Sequence, residues 1–73
     1  MTKQMFKVGE RKYPVIESTE KFKGAKNECV KYVERNYQKM KKHHFFDNPN
    51  FFKGNGAYYT NSKGLEVFIG PLE

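Results

Sequence analysis

The chain has 73 residues, with 14 Lys and Arg against 8 Asp and Glu, a formal net charge of +6. That length allows one small domain and excludes a Rossmann half with a substrate domain, a barrel, or a P-loop unit with its sheet. The aromatic fraction of 16% argues against plain disorder, and no apolar run approaches the length of a membrane-spanning helix.

A domain this small buries little of its surface, so its core needs large side chains or outside help. Cys29 is the single cysteine, which excludes an internal disulfide. A lone cysteine also points to a reducing, cytoplasmic setting. Met1-Thr2-Lys3-Gln4-Met5 lacks the apolar core of a signal peptide. Seven Phe and five Tyr are the available core material, each able to bury about 150–250 Å².

In chain order, Met5-Phe6-Lys7-Val8 is a short predicted strand and Gly9-Glu10-Arg11-Lys12 a polar turn. Tyr13-Pro14-Val15-Ile16-Glu17 is a second strand, at an edge because Pro14 cannot donate to a ladder. The two form a predicted hairpin over 5–17. Ser18 or Thr19 offers an N-cap for a helix over 19–42. At helical spacing, Phe22, Ala25, Cys29, Val30, Tyr32, Val33, Tyr37 and Met40 fall within about 160° of arc. Only Lys26 and Asn36 interrupt that stripe, and Gly24 weakens the start.

Residues 43–56 read as a loop pinned by phenylalanines. Phe45-Phe46 and Phe51-Phe52 flank Asp47-Asn48-Pro49-Asn50, and Gly54-Asn55-Gly56 follows. The end is a hairpin over 57–70. Ala57-Tyr58-Tyr59-Thr60 and Leu65-Glu66-Val67-Phe68-Ile69 flank Asn61-Ser62-Lys63-Gly64, which has the form of a type I turn with a glycine bulge. The expected fold is therefore α+β, a two-layer ββαββ domain, with one amphipathic helix packed on one face of a small antiparallel sheet. The order loosely resembles short bacterial and phage ββαββ modules.

The charge has an address. Residues 21–53 hold nine cationic and three acidic side chains, while the flanks nearly cancel. Lys31, Arg35, Lys39, Lys41, Lys42 and Lys53 are the candidate nucleic-acid contacts, forming a basic ridge on the helix and the loop after it. Lysine predominates over arginine, which favours phosphate contact over base-specific bidentate readout. The neighbouring aromatics can stack single-stranded bases. The plainer reading is a solvated basic face, since +6 lies within ordinary solubility needs. A membrane-surface helix fits poorly, because the apolar stripe carries Ala, Cys, Val and Tyr where such helices carry Trp or Leu.

One helix covers one face of a sheet. Tyr58 and Tyr59 must face opposite sides, and Phe68 points away from Leu65, Val67 and Ile69. Tyr58, Tyr59 and Phe68 are therefore the candidate interface residues for a protein partner or a homodimer.

Chemistry is sparse. His43-His44 cannot chelate one metal from adjacent positions of a helix, and a zinc site needs three or four ligands. Cys29 lies mid-stripe, where a thiol acts as a small hydrophobe rather than a nucleophile. Gly54-Asn55-Gly56 lacks the helix and Lys-Ser/Thr of a phosphate loop. The sequence predicts a non-enzymatic binding module with no catalytic group, no cofactor, no metal and no evident small-molecule substrate. Nucleic acid is the first expected partner and another protein the alternative.

Overall fold

The computed structural model describes residues 4–72. Met1-Thr2-Lys3, on which part of the N-terminal reading falls, lie outside them, as does Glu73. The strands are β1 (Phe6–Lys12), β2 (Thr19–Gly24), β3 (Lys41–His44), β4 (Ala57–Thr60) and β5 (Leu65–Pro71). Among the described residues one α-helix, α1 (Lys26–Asn36), lies between β2 and β3, and a 3₁₀ turn spans Phe52–Gly54. All pairings are antiparallel, in the order β2-β1-β5-β4-β3. The class is α+β as expected, but the order is ββαβββ rather than ββαββ.

Three expected boundaries move. The first hairpin is β1 with β2, not residues 5–17. β1 runs through the expected turn to Lys12, because Gly9, Glu10 and Arg11 pair with Phe68, Val67 and Glu66 of β5. The Tyr13–Glu17 segment is a loop, with Val15 57% and Ile16 83% exposed.

The helix occupies 26–36 rather than 19–42. β2 and β3 are opposite edges of the sheet, so the chain between them passes over one face. α1 packs on β1, β2 and β5, with Lys26 beside Phe6 at its start and Tyr37 beside Glu10 after its end, so it runs along β1. Residues 19–24, expected as the first turns of the helix, pair with β1 instead. Glu28 fixes the start by accepting from the Ala25 N–H at 3.0 Å. Asn36 marks the end, its side-chain amide donating to the Tyr32 carbonyl at 2.9 Å. Lys39, at φ 61°, then turns the chain into β3.

β3 converts Lys41-Lys42-His43-His44, expected as helix end and loop, into an edge strand on β4. It holds no apolar residue, so it has no apolar alternation to reveal it. Charged side chains on β2 and β3 also deter pairing with another chain.

The core lies between α1 and the sheet. Phe6, Val8, Cys29, Val33, Ala57, Tyr59, Val67 and Ile69 are buried. Phe22 of β2 stacks on Tyr32 at 4.8 Å, so it serves the predicted apolar stripe from a strand. Phe45 and Phe46 close the same layer, Phe46 packing edge-on against Phe6 at 6.1 Å. Among the described residues, no helix is long and apolar enough to cross a membrane.

Candidate interaction surface

The six basic residues singled out by sequence do not form one helical ridge. Lys31 and Arg35 lie on α1, Lys39 on the following turn, Lys41 and Lys42 on β3, and Lys53 in the 3₁₀ turn. Because the helix stops at Asn36, the ridge breaks up: Lys31 and Arg35 lie beside Phe22 of β2, Lys42 on the helix side of β3 and Lys41 on its other side. All six are exposed. The salt bridges among the described residues are Arg11–Glu66, Lys21–Glu10 and Lys23–Glu20, which engage none of the six. Glu28 and Glu34, three residues to either side of Lys31, form no salt bridge with it.

Period-two alternation divides the hairpin as expected. Val67 and Ile69 face the helix, while Glu66, Phe68 and Gly70 face the other side. Tyr58 pairs with Phe68 and joins that open face. Tyr59, named beside it as an interface residue, belongs to the core, where it is 2% exposed and pairs with Val67. Its hydroxyl is buried without a hydrogen-bond partner among the described residues. Burial, with a smaller contribution from Glu34, pushes its pKa up to about 12.

The open face is a built surface. Arg11 Nε donates to Glu66 Oε1 at 2.7 Å, and Arg11 Nη2 reaches the same oxygen. The Glu66 hydrogen bond and charge raise the Arg11 pKa, so the guanidinium stays charged. Tyr58 is also raised, first by burial and then by Glu66, and stays a neutral phenol at physiological pH. Phe68 lies flush over Gly9, where a Cβ would come within 2.2 Å of its ring.

The loop after β3 sends its two phenylalanine pairs to opposite sides of the sheet. Phe45 and Phe46 go to the helix side, Phe51 and Phe52 to the open side. Phe52 sits over Gly56 and Gly70, where a Cβ would meet its ring at 2.3 and 2.8 Å. It stays 44% exposed.

A bulge in β3 does something the sequence reading missed. Lys42 pairs with Tyr59 and His44 with Tyr58, leaving His43 as the extra residue. Both histidines therefore approach Tyr58, with ring centroids at 5.6 and 6.1 Å. His44 stacks on Phe51 at 5.4 Å and 21°, and the Asn48 amide lies 2.6 Å from its Nδ1. His43 is bonded to the Thr60 hydroxyl. His43 and His44 thus lie on a strand rather than at the end of the expected 19–42 helix, with both rings beside Tyr58.

Arg11, Ile16, Phe51, Phe52, Tyr58 and Phe68 border a shallow groove of about 280 Å³. That is just below the range of about 300–1,000 Å³ usual for small-molecule pockets. Cys29 is fully buried behind the opposite face, its Sγ 3.8 Å from the Gly24 carbonyl. Desolvation raises its pKa and keeps it a neutral thiol. Among the described residues, no group of three His, Cys, Asp or Glu side chains could hold a metal ion. Comparison with family models, with curated proteins and with solved structures found no match for this chain.

Proposed function

We propose that the chain is a non-enzymatic module that binds nucleic acid through the cations carried by α1, the turn after it, β3 and the 3₁₀ turn. Lys31, Arg35, Lys39, Lys41, Lys42 and Lys53 meet phosphates in this reading. Its main support is that all six are exposed and outside the ion pairs formed by the described residues. Free cations near a polyanion release its condensed counterions, which drives binding. Lysine heads suit this backbone contact, as point charges without the planar fork that reads bases. A reduced, buried Cys29 fits a cytoplasmic setting.

The salt dependence of binding tests the proposal. Six phosphate contacts predict a log–log slope of about −4 for a single strand and about −5 for a duplex. Replacing Lys39, Lys41 and Lys42 together by Ala flattens the slope by roughly half. No retardation of any nucleic acid at about 50 mM salt would overturn the proposal.

A second reading treats the open face as a protein contact or homodimer surface. The exposed Phe52 ring and the aromatic groove favour it. Two copies, however, would bring +6 against +6. A dimer mass in light scattering, lost in Phe68→Lys with the fold retained, would support this alternative.

A further inference from the structure

We infer that the open sheet face is a stacking surface for the bases of a single-stranded nucleic acid, an inference that rests on the nucleic-acid reading above. A duplex hides its base faces, so only an unpaired strand can present them to protein rings. The surface for them is already assembled. His44, Phe51 and Tyr58 form a connected ring cluster, with centroid separations of 5.4, 5.8 and 6.1 Å. Phe52 extends it, 4.6 Å from Phe51 and 44% exposed.

The backbone bears a conformational cost to hold that last ring. Phe52 and Lys53 are both left-handed, at φ 50° and 55°. Such a conformation is unfavourable for a bulky residue and is sustained only where surrounding structure enforces it. Gly56 and Gly70 leave the floor on which the ring rests. The ring thus covers one side on that floor and keeps the other exposed.

Charge selects a polyanion over a second copy of the chain. By strand register, Lys7 opposite Gly70 and Lys41 opposite Thr60 lie on this same face. Lys53 directly follows Phe52 in the turn. None of the three enters an ion pair among the described residues. The single carboxylate within the groove, Glu66, is held by Arg11. A strand laid along β3 would thus set its phosphates near Lys41 and Lys53 and its bases on the rings.

The test is fluorescence anisotropy with a labelled oligothymidylate and an abasic sugar–phosphate oligomer of equal length and charge. The bases should tighten binding by about 5- to 150-fold for each one stacked. Phe52→Ala should weaken oligothymidylate binding by a similar factor and leave the abasic oligomer unchanged. Lys31→Ala, off this face, should weaken both equally. Equal binding of the two oligomers overturns the stacking surface and leaves nucleic-acid binding standing. Binding of neither overturns both. The comparison of oligomers uses the unaltered chain, so it decides even if Phe52→Ala fails to fold. A dimer that occupies this face and excludes the oligomer would also overturn the inference.

Discussion

Gly9→Ala should destabilise the domain by moving one ring. A Cβ at residue 9 would lie 2.2, 2.6 and 2.8 Å from three atoms of the Phe68 ring. Carbon atoms pack best at about 3.5–4.0 Å, so the ring edge must retreat by roughly 1.5 Å. Overpacking of this kind costs about 1–3 kcal/mol. Phe68 is half-buried and can swing outward, which places the net cost of the single variant at about 1–2 kcal/mol. Ala is otherwise preferred to Gly inside a strand, by about 0.5–1 kcal/mol. With Phe68→Ala already made, Gly9→Ala should therefore stabilise the chain. The coupling energy of the double-mutant cycle should be about 1.5–3 kcal/mol. Urea unfolding followed by far-ultraviolet circular dichroism measures it. With a slope of about 1 kcal/mol/M, the single variant's midpoint should fall by about 1–2 M. An unchanged midpoint for Gly9→Ala, or the same effect in both backgrounds, would refute the packing of Phe68 on Gly9.

Tyr59→Phe should stabilise the domain by about 1 kcal/mol in the same assay, because it removes a buried hydroxyl without a partner. A loss of stability would mean that the hydroxyl is satisfied. Alkaline pH should unfold the chain. Tyr37 and Tyr59 are both pushed up to about 12, first by burial, so the folded state favours the neutral phenol. Their stabilisation is whole below pH 10, the ordinary tyrosine value, and is lost as pH rises toward about 12. Tyrosinate absorbance should rise together with unfolding, and Tyr59→Phe should lessen the alkaline loss. Ionisation of all five tyrosines near pH 10 with the fold intact would refute it.

The two hairpins differ in how much of them is local. In the C-terminal hairpin, Asn61 Oδ1 accepts from the Lys63 and Leu65 N–H groups at 2.9 and 3.1 Å. Gly64 takes φ 83°, and the strands alternate as their side chains do. Every one of those determinants lies within about ten residues. In the N-terminal hairpin, Gly9-Glu10-Arg11-Lys12 has the composition of a turn, yet it is strand because β5, more than fifty residues later, supplies its partners. Likewise, Phe22 has helical spacing to Val30 and Val33 but reaches the same layer from β2.

The candidate site follows the same division. The address of the excess charge, the opposed sides of Phe68 against Val67 and Ile69, and the burial of Cys29 were all legible in the sequence. They rest on charge counting and on the fixed two-residue and 3.6-residue periods of the backbone. The burial of Tyr59 rather than Tyr58 was not, since the alternation requires only that they differ. Nor was the clustering of His43 and His44 with Phe51 and Tyr58. That cluster depends on a bulge against β4 and on a loop passing around the sheet edge.

Length and charge define a small basic domain with aromatic core material, and these belong to the sequence alone. The crossing of the sheet belongs to the tertiary structure. Once 19–24 pairs with β1 and 41–44 with β4, the helix is confined to 26–36, and the lysines beyond Asn36 pass to a turn and an edge strand. What reads as one basic ridge is divided between the helix layer and the open aromatic face. The physical reason is that long-range pairing decides which segments are strands, and that pairing leaves no local periodicity in a charged edge such as Lys41–His44.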